Sequence, residues 1–498
     1  MYGYLRMSLA SLFLLTALAG AQVSVTTFDG IDASQFTGAT LGVDPNGSVG
    51  TVQYMEWADH VYQGFNKSTH ALVYPSGPVQ GDTPWRDNNM PDCYGGNGNV
   101  QLNFDRMAKR WVIGRRQIQT TGNAKSYFYC IAVSNTDDLT AGNFMWYTYE
   151  LALDPVLGLN QAGATYFPDY PKIGTWADGY YVSIDVEDPS NGFNEVGIVA
   201  CAFDRTTMLT GGTMRTPQCV EYPGPPNERA VFLAHSLEPA DIDGTTAPPV
   251  GAPEYFVSLE NPSAGQTTAN FVNAWVFHVD WSNPANSTFT TPPMHINVPS
   301  YTQGCLDLSN EYDTLCVPEP SSAQTGVFID SVGDRLMQRL AYRRFPAYQS
   351  WLVSGAVQVG SAPLSKTGIR WYEYRDKGAS NSGTISYKDS NYRFMPSIAQ
   401  DKAANMAVGY SVSGATVHPS IAASYLNLQS HTAPTEITLL AGSGDEENSY
   451  HWGVYSSMTV DPTDDCTFWY VNEEFPANQI GSQVIWHTAI SYFKLPGC

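Results

Sequence analysis

The chain has 498 residues and a formal net charge of −22, with only 14% charged residues against 13% aromatic ones, 30 of them Tyr and 12 Trp. An acid surplus of this size repels nucleic-acid phosphate and anionic lipid surfaces, which excludes both as partners. The mixture of Tyr, Ser, Thr, Gly and Asn suits pleated strands joined by tight turns rather than a helical protein.

In chain order, the first segment reads as an export signal covering residues 1–21. Arg6 gives a basic start, residues 9–18 are an apolar run, and Ala19-Gly20-Ala21 supplies small residues for cleavage before Gln22. The run is short of the ~20 residues a membrane span needs, and no later segment reaches that length. The expected product is a soluble exported protein whose residues 22–498 form one large β domain. Eight Cys in such a chain are compatible with four disulfides. Nearest-neighbour pairing joins Cys93 with Cys130, Cys201 with Cys219, Cys305 with Cys316 and Cys466 with Cys498, one connectivity among 105. No C-x-x-C or H-x-x-x-H spacing marks a zinc site.

After an alternating strand at 23–28, one sentence recurs seven times: a polar cluster, a short strand, a turn on Asp, Gly or Asn, and an apolar strand bearing Tyr or Trp. The first repeat runs through Gly42-Val43-Asp44-Pro45-Asn46-Gly47 into Tyr54-Met55-Glu56-Trp57. The second joins residues 95–105 to Arg110-Trp111-Val112-Ile113. The third is Asp169-Tyr170-Pro171-Lys172-Ile173-Gly174-Thr175-Trp176, turned by Ala177-Asp178-Gly179 into Tyr180-Tyr181-Val182. The fourth, at 238–244 with 254–259, is the most degenerate. The fifth spans 330–342 with a partner at 349–358, and the sixth runs from Arg393 to Asp401 and on to 405–410. The seventh and clearest is His451-Trp452-Gly453-Val454-Tyr455-Ser456-Ser457-Met458-Thr459-Val460, turned by Asp461-Pro462-Thr463-Asp464-Asp465 into Cys466-Thr467-Phe468-Trp469-Tyr470. A last strand at 484–493 is expected to share a sheet with the N-terminal strand, which removes exposed edges. These units exceed the ~40–50 residues of a minimal four-stranded blade, so long loops are expected at 75–92, 188–195 and 300–324. Helix is confined to short segments at 204–209 and 225–234. The fold class is therefore all-β, a disulfide-stapled seven-bladed β-propeller.

In a propeller the residues leading into each innermost strand converge on one rim. Collecting them gives candidate catalytic groups Asp169, Asp330, Asp334, His451 and Tyr455, and candidate substrate-binding groups Lys172, Glu238, Asp241, Arg335, Arg393 and Trp452. Glycoside hydrolysis needs two carboxyl groups facing across a sugar, one kept protonated by its surroundings, and Trp452 offers a face for a pyranose. A uronate lyase needs Arg or Lys on a carboxylate with His or Tyr removing the α-proton. The guanidinium groups of Arg335 and Arg393 need a carboxylate or an anionic ligand, and Asp330 or Asp334 can be that partner. Asp44 before Pro45 is expected only to cap its own turn. Asp241-Ile242-Asp243-Gly244 has the Asp spacing of a calcium loop without its later ligands, so a structural calcium is left open; no other cofactor is expected. Asp185-Val186-Glu187-Asp188 is an oxygen-rich cluster of similar grade.

Phe104-Asp105 with Arg110-Trp111-Val112, Asp169-Tyr170-Pro171-Lys172, Gly333-Asp334-Arg335-Leu336, Gly409-Tyr410-Ser411-Val412-Ser413 and the residues from Tyr455 to Tyr470 together resemble a group of large secreted bacterial proteins of propeller shape and no established activity. Gly98-Asn99-Val100 departs from that group, where Gly-Asp-Pro stands. In shape the chain is similar to sialidase-like and arabinanase-like propellers, although the Ser-x-Asp-x-Gly-x-Thr-Trp boxes of sialidases are missing. The resemblance implies fold and not activity. Two functions are expected to compete: an extracellular carbohydrate-active enzyme, glycoside hydrolase or uronate lyase, working as a monomer on a poly- or oligosaccharide, and a non-catalytic propeller that binds glycans or surface partners.

Overall fold

The computed structural model describes residues 23–96, 99–122, 124–157, 166–223, 236–260, 268–305, 315–360, 366–377, 380–430, 433–446, 449–478 and 484–498. Strands dominate, and the α-helices are short pieces such as Thr83–Asp87 and Arg205–Met208. The second of these is the helix expected near 204–209, with the Asp204 side chain accepting from the Thr206 amide. The segments expected as a signal and as a helix at 225–234 lie outside the described residues. Among the described residues, no helix is long and apolar enough to cross a membrane.

The strands group into antiparallel meanders, each four-stranded except the fourth, which has five strands. The first four cover residues 46–80, 100–152, 167–223 and 238–301, and the fifth and sixth cover 336–385 and 392–440. The fourth and fifth merge into one nine-stranded sheet because Glu238–Ile242 pairs in parallel with Leu336–Arg344. A seventh meander takes Ser457–Val460, Thr467–Glu474 and His487–Lys494 from the end of the chain and Val25–Asp32 from its beginning, with Val25 opposite Phe493. The two ends of the chain thus share one sheet, as the sequence suggests.

The first strand of each meander touches the first strand of the next, and Ser457–Val460 returns to Asn46–Val49, so the first strands form a closed circuit. Buried on both faces, they lack the in-out alternation of a half-exposed strand. Large rings fill the gaps between meanders. Trp469 of the seventh stacks on Tyr54 of the first at 5.4 Å, and Gly409 lies so close to the Tyr470 ring that a Cβ there would sit 2.7 Å from it.

One backbone feature recurs at each lead-in. Asp44, Asn99, Tyr170, Ser236, Val332, Met395 and Gly453 all have left-handed φ, between 42° and 59°. Six of the seven carry a side chain and cost about 1–3 kcal/mol each, strain that collects where function does. Two positions further on, the same station is held by Asn46, Gln101, Lys172, Glu238, Asp334, Ser397 and Tyr455. The left-handed Gly453 also explains a correction: residues 451–456 form a loop, and the strand of the seventh repeat begins only at Ser457.

All four nearest-neighbour disulfides are present. Cys466–Cys498 ties the chain terminus to the turn of the seventh meander, and four such staples fit an oxidising compartment.

The seam between chain ends depends on a buried acid. Glu56 Oε1 accepts from the Ile31 amide at 2.7 Å and from Thr488 Oγ1 at 2.5 Å, which joins the first meander to both outer strands of the seventh. Burial pushes its carboxyl from 4.5 up to about 7. Because the folded value is the higher one, the stabilisation is full below pH 4.5 and is lost as pH rises to about 7, an effect of about 3 kcal/mol at ~1.4 kcal/mol per unit. Urea titrations of Glu56→Gln should show a flatter dependence of stability on pH in that window; an unchanged slope would mean Glu56 titrates normally.

Candidate functional site

Four of the seven stations after the left-handed residues meet beneath one end of the circuit. Lys172 Nζ lies over two rings, 3.9 Å from the Tyr170 centroid and 4.2 Å from that of Tyr455, and 3.5 Å from Glu238 Oε1. None of these four residues is more than 9% exposed. Arg335 lies 4.7 Å from the Tyr170 ring centroid, donates to both carboxylate oxygens of Asp334 at 2.9 and 2.8 Å, and reaches Ser236 Oγ at 3.2 Å. Ser236 in turn donates to Asp185 at 2.9 Å. Burial pushes the Glu238 carboxyl up to about 7 against the pull of Lys172, and burial draws the Lys172 ammonium down. The phenols of Tyr170 and Tyr455 are pushed well up by burial and stay neutral. This is a closed polar floor.

A more exposed layer carries the groups that solvent can reach. Asp169 accepts from Arg116 Nη1 at 2.6 Å and from Asn99 Nδ2 at 2.5 Å, and the Asn99 amide donates to Asp44 at 3.4 Å. Asp169 is paired with Asp185 on the neighbouring strand, and Phe167 with Glu187. Paired residues and those two apart share a face, so Asp169 and Glu187 are diagonal neighbours. The bulge at Tyr170 adds one residue and keeps Lys172 on that same face. Glu187 is half-buried; burial first, then the charges of Asp169 and Glu195, push its carboxyl up to about 7. Aromatic rings stand beside the pair. Arg116 lies over Phe167 at 4.7 Å, and Phe193, 53% exposed, meets Phe167 edge-on at 5.4 Å.

The remaining sequence candidates are placed apart from this pair. His451 is exposed against Tyr450, with ring centroids 4.3 Å apart, and its charge is felt at Asp44. Asp330 lies in a separate two-stranded ribbon and accepts from the Val332 amide at 2.8 Å, capping its own turn. Trp452 is 1% exposed, stacks on Phe475 at 5.3 Å and donates to Ser411 Oγ, so it has no free face for a sugar. Arg393 is clasped by Asp389 and Glu436 at 2.8 and 2.7 Å and covers Tyr387; it is an internal clamp of the sixth meander, and neither Asp330 nor Asp334 is its partner.

Asp241 belongs to a buried plug deeper in the circuit. Arg339 bonds Asp241 at 2.9 Å and Asp243 at 2.8 Å, and Arg106 lies 3.5 Å from Asp243. Asn103, the Thr175 amide and the Met458 carbonyl complete it. The Asp241-Ile242-Asp243-Gly244 stretch, where a calcium was left open, thus has its charge met by two guanidinium groups. Among the described residues, no group of three or more His, Cys, Asp or Glu is placed to hold a metal ion.

Residues that the lead-in rule misses are Arg116, Glu187 and Phe193. Arg116 and Glu187 sit at the far ends of second strands, Arg116 just past its hairpin partner and Glu187 opposite Phe167, and the exposed signal was the acidic alternation of Asp185-Val186-Glu187-Asp188.

No known protein family matches the chain, and no curated protein sequence does. Solved structures are similar in shape at very low identity. An α-L-arabinofuranosidase from Fusarium graminearum is 8% identical with a TM-score of 0.40, over 93% of this chain and 97% of that one. An ulvan lyase is 10% identical with a TM-score of 0.39, over 90% and 94%. A Trypanosoma rangeli sialidase mutant is 10% identical with a TM-score of 0.35, over 79% of this chain and 53% of the sialidase. The chain thus spans about half the length of that sialidase. The functional reading rests on the side chains alone.

Proposed function

We propose that residues 22–498 form a single exported seven-bladed β-propeller that hydrolyses glycosidic bonds in an extracellular poly- or oligosaccharide. The site is the exposed layer around Asp169 and Glu187. One observation carries this reading: a carboxylate clasped by Arg116 lies diagonal to a carboxyl that burial keeps protonated up to about pH 7. Unlike environments for two neighbouring carboxyl groups are what acid and base roles require.

Glu187 gives its proton to the glycosidic oxygen as that bond breaks. Diagonal cross-strand positions stand about 7–8 Å apart along the backbone, a spacing that allows the two carboxyl groups to take a water between them. Asp169 is therefore assigned the base that takes a proton from that water as its oxygen bonds to the anomeric carbon, and the product anomer is inverted. Phe193 and Phe167 offer apolar faces to the sugar ring, while Asp334 and Arg335 belong with the floor beneath it. The floor of Lys172, Glu238, Tyr170 and Tyr455 holds the rim in place.

The lyase alternative is disfavoured because Tyr455, one of its two proton-removing candidates, is buried and held neutral, and the guanidinium groups it would use, Arg335 and Arg393, are already paired with Asp334 and with Asp389 and Glu436. A screen of neutral and acidic polysaccharides, read both by reducing ends and by absorbance of unsaturated uronates, decides between the readings. Reducing ends alone are expected. Unsaturated product would establish the lyase instead, and glycan binding with no product would establish the non-catalytic binder.

A further inference from the structure

A polar cavity of about 370 Å³ lies where the connection between the first and second meanders folds against His60, and it shares none of its lining with the carboxyl pair. That connection is a fixed piece of structure. Trp85 within it is fully buried, Cys93–Cys130 staples it to the second meander, and Arg115 donates to the carbonyls of Cys93 and Gly95. The His60 ring in the opposite wall is held by Asp59 at 2.9 Å and by the Thr37 carbonyl at 3.3 Å. Gly96 packs directly on that wall, since a Cβ there would sit 2.7 Å from the Cβ of His60. The cavity is therefore pre-formed, and its volume falls within the ~300–1,000 Å³ usual for small-molecule sites.

The chemistry of the lining decides what fills it. Asp82 precedes the short helix Thr83–Asp87 but makes no capping bond to it. Its Oδ2 instead accepts from Arg86 Nε and from the Gly95 amide, both at 2.7 Å, with Arg86 Nη2 at 2.6 Å. All three contacts fall on one oxygen. Among the described residues nothing meets Asp82 Oδ1 or Arg86 Nη1, and solvent reaches both atoms. The Tyr94 ring, 4.6 Å from the guanidinium, supports it from one face. The Thr83 hydroxyl and the exposed Gln80 amide add further groups of both kinds. A carboxylate only accepts hydrogen bonds and a guanidinium only donates them. A metal ion would meet Arg86, and an anion would meet Asp82, the one carboxylate of the lining. Paired charges thus select an uncharged ligand that both gives and takes hydrogen bonds, as adjacent hydroxyls of a sugar ring do.

We propose that this cavity binds one neutral sugar ring through two adjacent hydroxyls, one donating to Asp82 Oδ1 and the other accepting from Arg86 Nη1. Asn99, three residues beyond Gly96, donates to Asp169, so the sugar sits beside the hydrolytic rim; binding here does not need hydrolysis and holds equally for a non-catalytic binder. Saturation-transfer NMR titrations of the full chain with the methyl glycosides of glucose, galactose, mannose and arabinose should show at least one of them bound. Tetrahydropyran-2-methanol, which keeps the ring and lacks adjacent ring hydroxyls, should bind at least tenfold more weakly, since a hydrogen bond to a charged group is worth about that much. Arg86→Ala, at a side chain 53% exposed, removes the donor and should weaken the glycoside at least tenfold. Gln80→Trp blocks the cavity from its exposed edge without touching the ion pair and should do the same. Glycoside binding that survives Gln80→Trp would overturn the proposal and place the sugar at the carboxyl pair. It would equally be overturned by equal binding of tetrahydropyran-2-methanol, by no binding of any of the four glycosides, or by acetate or calcium binding in their place.

Discussion

Glu187→Gln should lower hydrolysis by about 10²–10⁴-fold, the usual worth of a positioned general acid, while leaving the folded structure intact. The amide keeps the size of the side chain and loses only the proton. Two readouts separate this from a structural effect. First, activity of the wild type should fall as pH rises through about 7, because the carboxyl must be protonated to act and burial holds it so only up to that point; the residual activity of Glu187→Gln should lose this limb. Second, substrates whose leaving group needs no protonation, such as dinitrophenyl glycosides, should recover most of the lost rate with Glu187→Gln and none with Asp169→Asn. A uniform loss on both substrate types in Glu187→Gln would remove Glu187 from the acid role.

The lead-in rule found Lys172, Glu238, Asp334 and Tyr455 because a purely local feature places them: a left-handed residue two positions earlier in each meander. That makes convergence on one rim readable from a repeated sentence. Arg393 breaks the rule for a reason sequence does not display. Its position within the strand is equivalent to Pro168 rather than to Lys172, and its partners come from a turn four residues upstream and from the outer strand Thr435–Leu440. Trp452 precedes the left-handed Gly453 and so turns into the packing between the sixth and seventh meanders, where Ser411 and Phe475 receive it. Glu187 and Arg116 were invisible to the rule because they sit at the far ends of second strands: Gly179–Asp188 stays paired back to Phe167, before the lead-in residue, and Arg110–Thr121 runs on past its pairing with Val100. Strand overhang depends on how long a hairpin stays paired, and alternation alone does not fix that length. The disulfides were readable because each links nearby segments, and Cys201 and Cys219 are direct cross-strand partners.

Arg339→Met should destabilise the fold by about 3–5 kcal/mol, the cost of removing one partner from a buried ion pair. Asp241 and Asp243 are 3% and 1% exposed, and without Arg339 two carboxylates would face only Arg106 in the interior. The loss is concentrated there because this plug joins five of the meanders at once. Asn103 comes from the second meander, Thr175 from the third, the two Asp from the end of the first strand of the fourth, Arg339 from the fifth and Met458 from the seventh. Arg339, Arg106 and Arg343 outweigh burial and hold the Asp243 carboxyl below its usual range. A lowered folded value contributes stability that is present above the unfolded value of about 3.8 and is lost as pH falls below it. Urea titrations should therefore show the Arg339→Met deficit shrinking toward acid pH, as the stranded carboxylates take up protons. Replacing all four charges together, Arg339→Met and Arg106→Met with Asp241→Leu and Asp243→Leu, should recover much of the loss, because an apolar plug of similar volume needs no compensating charge. A quadruple variant no more stable than Arg339→Met would show that the hydrogen bonds to Asn103 and Thr175, and not the ion pairs, hold the circuit together at this point.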